Sequence, residues 1–318
     1  MTTGPRQPFD ASLLRVAADL RRQGIEPAAA GWHRVRRGIW LVPGAWSTLG
    51  TDERYQATVH ATVLSCHEPE TVVIAGHSAA AVWGMPSIEA WPDHVSVLDP
   101  GGRSGSSRHI RMVHGLPAEP VLRHGLLVTP AARTVIDLAR TGTLDTALAS
   151  ADYALREGLC SRNDLEKEAG LIPHGGRGRS IARLTVELTD GLSGSPGESL
   201  SRLQMFRANL PRPVLQREYR DENGLIGYVD FDLEQVIGEF DGQTKYRIPD
   251  GASNTEASQI VWQEKRREDR LRRFKPVARW DWAVARRTGA LARLLLDFGV
   301  KPQPRSTWID LASRRSAS

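Results

Sequence analysis

Apolar positions recur with two different periods along this chain of 318 residues. Near the start, Leu13, Val16, Ala17 and Leu20 follow the spacing of a one-faced helix over 12–22, and Gly24 ends it. The stretch 27–35 predicts a second short helix, and 38–44 predicts a short strand bounded by glycines. Further on, 78–83 predicts an alanine-rich helix and 95–98 a strand. Thr129 and Pro130 open another helix, continued by 133–140, with proline at the first helical position. Ser161 and Asp164 have the spacing of a capping pair.

After residue 195 the pattern changes. A helix over 195–210 precedes strands at 214–220, 227–233 and 235–241. A long charged helix over 256–274, a strand at 276–280 and a helix over 282–296 complete a domain of about 120 residues. Glycine and serine cluster at both ends of 171–197, which places the domain boundary there. The expected organisation is a winged helix-turn-helix over 1–50, an α/β region over 51–170, a linker with a helix over 171–194, an α/β domain over 195–300 and a tail over 301–318. The fold class is therefore α+β or α/β.

Composition narrows this picture only modestly. Hydrophobic residues make up 40% and charged residues 25%, as in an ordinary globular protein. No window approaches the ~18 consecutive apolar residues of a spanning helix, so no membrane partner is expected. The N-terminal segment lacks the apolar run of a secretory signal. Only Cys66 and Cys160 are present, which excludes a disulfide scaffold and a multi-cysteine zinc site. A cytoplasmic, nucleoid-associated location is expected. The net charge of +5 is mild, so its distribution matters more than its sum.

The most informative stretch is YVDFDLEQVIGEFDG, two strands flanking a tight connection. With Glu234 and Gln235 at the tip, Leu233 faces Val236 and Asp230 faces Glu239. Alternation then puts Val229, Phe231, Leu233, Val236, Gly238 and Phe240 on an apolar face. Asp230 and Glu239 share the other face with Asp232 and Asp241. Like charges across a sheet destabilise it, so something must compensate. A hard cation such as Mg²⁺, held by one or two carboxylates plus water and phosphate, is one answer. A solvated outer face of an antiparallel sheet is the other.

The order of Glu198 on a helix, Asp230 in a "VDF" strand, "GEFDG" and the helix "EKRREDRL" resembles the PD-(D/E)XK nuclease superfamily. More narrowly, residues 195–285 resemble an endonuclease-like domain related to very-short-patch repair endonucleases. The resemblance implies a restriction-endonuclease-like fold and a Mg²⁺ (or Mn²⁺) site. It implies Asp230 and Glu239 as metal ligands, with Glu198 as the assisting acid. Asp241 stands where the superfamily's short motif has lysine, either as a third ligand or as a turn-former before Gly242. Lys245 or Lys265 is left to supply the catalytic cation. Glu198 also fits a capping box with Ser195.

In the helix 256–274, Ile260, Glu264, Arg267, Leu271 and Phe274 share one stripe, with Glu264 and Arg267 spaced to pair. Arg266, Arg270 and their basic neighbours form a surface suited to DNA phosphates or simply to solvent. Near the N-terminus, His33, Arg34, Arg36 and Arg37 lie where a recognition helix ends and a wing begins, placed for phosphate or guanine contacts.

Three segments, RRGIWLVPGAW, GHSAAAVWGMP and TPAARTVIDLAR, occur in an order that resembles the AbiEi-type antitoxin and regulator family over about 30–170. That resemblance implies DNA as partner, a cognate toxin as a second partner, and autoregulation within a type IV toxin–antitoxin system. Fusion of the two regions resembles an arrangement of actinobacterial type. His77 and Ser78 do not form a hydrolase site, because no G-x-S-x-G elbow is present; Ser78 is expected to cap its helix. The glycine-rich 175–179 lacks the G-K-[ST] of a phosphate loop and reads as a flexible basic linker. Two functions therefore compete: a Mg²⁺-dependent DNA endonuclease, and a non-catalytic antitoxin-like regulator with a degenerate nuclease domain.

Overall fold

Strand alternation overrides helical spacing at the start of the chain. In the computed structural model, which describes residues 8–102, 105–114, 118–242 and 254–309, the predicted first helix is split. Leu14–Val16 is a strand, β1, and only Ala17–Arg22 is helical, α1. The predicted second helix is not formed. Residues 27–31 are turns, ended by Gly31 at φ +74°, and His33–Arg36 is a strand, β2. With β3 (Ile39–Leu41) these form a small antiparallel sheet in the order β1-β3-β2. The reason is burial: Leu14, Ile39 and Leu41 alternate inward and pack with Phe9, Ala57 and Ala61. The hairpin expected as a wing is present, without a recognition helix before it.

The short helix α2 (Ala45–Thr48) leads to α3 (Thr51–Leu64), which supports this sheet. Next come β4 (Val73–Ile74), α4 (Gly76–Trp83), β5 (Val95–Leu98), β6 (Ile110–Val113), β7 (Val121–Arg123) and β8 (Leu126–Val128). They build a mixed five-stranded sheet in the order β6-β5-β4-β8-β7. Helices α5 (Ala131–Thr141), α6 (Leu144–Arg156), α7 (Arg162–Gly170) and α8 (Arg179–Leu188) complete the first half. Ser161 and Asp164 cap α7 reciprocally, as their spacing predicts. Ser78 is not a cap. It is fully buried inside α4, bonded to the Tyr55 hydroxyl and the Ser96 N–H, each at 2.8 Å. The helix expected within 171–194 is α8, whose Ala182 and Val186 belong to the core; in 175–179, read as a flexible linker, a Cβ on Gly178 would lie 2.5 Å from Arg140 Cα.

The chain divides into two units, Met1–Val186 and Glu187–Ser318. The second contains α9 (Pro196–Arg207), β9 (Val214–Asp221), β10 (Gly224–Asp232), β11 (Ile237–Phe240), α10 (Asn254–Leu271), β12 (Val277–Trp280), α11 (Trp282–Arg286) and α12 (Ala290–Asp297). Its sheet has the order β12-β11-β10-β9, antiparallel except for the parallel β11–β12 pair joined through α10. Thus each unit is mixed α and β. The predicted final helix breaks in two at Gly289, where φ is +73°. Trp308, in the expected tail, is buried and donates from Nε1 to the Leu210 carbonyl at 2.7 Å.

On the side facing α9, Phe231 and Phe240 are buried, as are Leu233 and Val236 at the connection; Val229, expected with them, clusters instead with Ile237, Tyr219, Val277 and Leu271 of α10. Trp280 stacks on Phe231 and donates from Nε1 to Ser201 Oγ of α9 at 2.8 Å. Helix α9 approaches so closely that a Cβ on Gly197 would lie 2.0 Å from Phe240 Cε1. Among the described residues no helix is long and apolar enough to cross a membrane.

Two measurements check this packing. Gly197→Ala overpacks the contact and is expected to cost about 1–3 kcal/mol or more in denaturant unfolding. In the first unit, His60 is buried against Phe9, and burial together with the His124 charge lowers its pKa from 6.5 to about 4. The folded state then resists protonation. Its contribution to stability is complete above pH 6.5 and declines by about 3 kcal/mol as pH falls toward 4. Thermal unfolding of wild type across that window should show the decline, and His60→Leu should flatten it.

Candidate functional site

The β10–β11 hairpin has the register its tight connection predicts, with Phe231 opposite Gly238 and Asp232 opposite Ile237. Extended by one pair, it sets Asp230 across from Glu239. The recorded ladder ends before that pair. There the Phe240 N–H donates to Asp230 Oδ2 at 2.9 Å, so a carboxylate replaces a strand carbonyl where the ladder stops.

Glu239 is only 4% exposed. Burial pushes its carboxyl up from the usual glutamate range, and the Asp230 charge pushes the same way, against Arg267 and Arg279. Arg267 of α10 grips both of its oxygens, Nη2 to Oε1 at 2.8 Å and Nη1 to Oε2 at 3.3 Å. Arg267 also donates to the Tyr228 carbonyl at 2.9 Å and to Glu264 at 3.1 Å. Its approach to β10 needs Gly227, which has φ +140° and where a Cβ would lie 3.2 Å from Arg267 Nε.

Arg279 of β12 lies beside Glu239 in the parallel β11–β12 register. It donates to Glu264 at 2.6 Å and lies 3.2 Å from Glu268 and 3.8 Å from Asp241. Burial works against its charge, but these carboxylates hold its pKa above the ordinary arginine value.

Glu198 does two things. It closes a cap with Ser195, accepting from Ser195 Oγ at 2.9 Å and from the Gly194 N–H at 2.7 Å. It also accepts from Gln216 Nε2 at 3.3 Å, and the same nitrogen lies 3.5 Å from Asp230 Oδ1. Gln216 holds this bridge at φ +48°, a conformation rare for a residue with a side chain. Capping and proximity to the acidic pair therefore coexist in Glu198.

Other expected residues fall elsewhere. Asp241 lies 3.8 Å from Arg279. Asp232 is taken up by Lys275 at 2.6 Å, Tyr219 at 2.7 Å and Arg217 at 2.5 Å. Among the described residues no group of three or more His, Cys, Asp or Glu could hold a metal ion, so the four-carboxylate set is not assembled. Lys245 lies outside the described residues, and Lys265 is exposed on α10.

Of the residues expected on DNA, Arg34 and Arg37 are exposed. Arg36 is half-buried, donating from Nε to Thr62 at 2.9 Å, and burial lowers its pKa. His33 stacks on Trp46 with ring centroids 4.3 Å apart. Arg270 is bound to Asp221, Nε to Oδ2 at 2.7 Å, and holds that carboxyl down at about 2. Arg266 is exposed over the Trp262 ring.

Sequence reasoning missed Gln216, Arg279, Tyr228 and Trp262. For Gln216 a local signal existed, since it stands across from Asp230 once β9 and β10 are paired. Arg279 had none, because its register depends on the parallel crossover.

No family model matches the chain. It is 34% identical over 167 residues to two uncharacterized proteins of Mycobacterium tuberculosis, MT2308 and Rv2248, a match over 50% of this chain and 60% of each relative. The crystal structure of the RV2827C protein from Mycobacterium tuberculosis is similar over 66% of this chain and 84% of that chain, at 13% identity and a TM-score of 0.36.

Removing Arg267 leaves Glu239 buried without its main partner. Arg267→Gln is expected to cost about 3–5 kcal/mol in denaturant unfolding near pH 8. Because the folded-state pKa of Glu239 is already raised, protonation relieves the penalty. Stability of the variant should therefore improve as pH falls toward 4.5, the ordinary glutamate value.

Proposed function

We propose that the second unit is an endonuclease-like domain of the PD-(D/E)XK type, related to very-short-patch repair endonucleases, that hydrolyses DNA phosphodiesters with Mg²⁺ or Mn²⁺. The observation that carries this reading is the meeting of Asp230 and Glu239 at the end of the β10–β11 ladder, with Glu198 tied to Asp230 through Gln216. The donor chemistry fits: a hard dication takes carboxylate oxygens and needs only one or two of them beside water and phosphate. Asp230 and Glu239 would hold it. Such an ion, when bound, polarises a phosphodiester and activates water. Glu198 and Gln216 fix the orientation of Asp230. Lys265, exposed on α10, and Lys245 are the candidate cations for developing charge.

For the first unit the reading is an AbiEi-type regulator with a winged DNA-binding segment, a cognate toxin as partner and a nucleoid-associated location. Its support is the three ordered motifs and the β2–β3 hairpin, which carries Arg34 and leads Arg37 to the surface. His33 and Arg36 brace that hairpin instead of facing outward.

One observation favours a second reading. Arg267 occupies both Glu239 oxygens, the atoms that a metal ion would need. The protein would then be a non-catalytic antitoxin-like regulator. Incubation with supercoiled plasmid and Mg²⁺ or Mn²⁺ separates the two. The nuclease reading expects nicking or linearisation that drops at least 100-fold in Asp230→Ala and in Glu239→Gln, the usual scale for losing a catalytic group. DNA binding without cleavage under either metal overturns it in favour of the regulator.

A further inference from the structure

Trp262 and Tyr228 remain unexplained by the fold. Trp262 is 62% exposed on α10 and Tyr228 is 53% exposed on β10, although each would gain from burial. Both are held in place. The Arg266 guanidinium lies over the Trp262 ring, 5.0 Å from its centroid, which covers one face and leaves the other for a ligand. Tyr228 Oη donates to Glu218 at 2.9 Å, and its carbonyl is bound by Arg267 at 2.9 Å. A pinned, exposed ring loses little conformational entropy when something stacks on it.

Position adds to this. Tyr228 lies two residues before Asp230 on β10 and so on the same side of the strand. The separation is roughly 6.8 Å along the strand, close to one nucleotide step of an extended chain. Trp262 stands beside Lys265 and Arg266, both exposed on α10. An exposed ring bordered by cations matches a strand that carries phosphates and bare π-faces.

We propose that Trp262 and Tyr228 are stacking platforms for unpaired bases, so that the second unit takes a single DNA strand in preference to closed duplex. In duplex each base face is covered by its neighbours, and an exposed ring has nothing to stack on. This rests on the reading of that unit as DNA-binding and adds the form of DNA it takes; it does not require catalysis.

The test uses the full chain and fluorescence anisotropy in EDTA, with a labelled deoxyoligonucleotide of about 20 nucleotides, long enough for one binding site. The same sequence as blunt duplex and as RNA provides the other two arms. The single DNA strand is expected to bind roughly 10-fold or more tightly than duplex. Trp262→Ala and Tyr228→Ala should each weaken it roughly 5- to 100-fold with little change for duplex, while Trp262→Phe and Tyr228→Phe largely retain it. Circular dichroism and thermal melting confirm that the variants fold. Duplex or RNA bound as tightly as the single DNA strand, or unchanged strand affinity in Trp262→Ala, overturns the proposal. Plasmid cleavage with Trp262→Ala binding as wild type would remove the platform and leave the nuclease reading intact. Platform-dependent strand binding without cleavage would do the reverse, and no binding to any arm removes both.

Discussion

The ion pair between Glu239 and Arg267 is the constraint on which the polar side of the second unit depends. A carboxylate that is 4% exposed cannot remain charged unless it is neutralised and hydrogen-bonded. Arg267 does both and, by also binding the Tyr228 carbonyl and Glu264, ties β11, β10 and α10 together. Arg279 extends the arrangement to β12 through Glu264 and Glu268. Replacing one partner leaves a stranded charge, so the pair fixes the geometry whatever its net contribution to stability. The same contact stands between Glu239 and any metal ion. Support for the fold and restraint on the chemistry reside in a single guanidinium.

The location of the acidic pair is set from the other side of the sheet. Phe231, Phe240 and Trp280 face α9, and Gly197 allows that helix to touch the Phe240 ring. With Phe240 turned to α9, alternation along β11 turns Glu239 the other way, toward Arg267 of α10. The docking of α9 also delivers Glu198, one residue beyond Gly197, to Gln216 and so to Asp230. A one-residue slip of the hairpin would take Glu239 away from Arg267 and the phenylalanines away from α9. The apolar face thus enforces the register, and the polar face inherits it.

Much of this was legible in the sequence where the determinants are local. The Glu234–Gln235 connection and the alternating residues beside it define both the hairpin register and the two faces. Ser195, Ser161 and their acidic partners mark two helix starts correctly. Legibility failed where tertiary partners decide. Leu14 and Val16 satisfy helical spacing and strand alternation equally, and only pairing with β3 chooses the strand. The alanines before Gly31 favour a helix, yet that segment is turns followed by β2. Asp232 looked like a fourth member of the acidic face until Lys275, just beyond the end of α10, took it. Arg279 was invisible because a parallel register across a crossover leaves no local trace.

The basic residues show why charge counts mislead about nucleic acid. In the second unit Arg267, Arg270 and Lys275 are engaged by Glu239, Asp221 and Asp232. In the first, Arg36 is turned inward onto Thr62. Such groups could reach a phosphate only by breaking short bonds to buried or half-buried partners, which would offset much of what the phosphate offers. Among the described cations expected to act at the hairpin and on α10, those turned outward are fewer: Arg34 and Arg37 on the hairpin, and Lys265 and Arg266 on α10. Any salt-dependent affinity for DNA at these two surfaces reflects this outward set and not the total of 42 basic side chains.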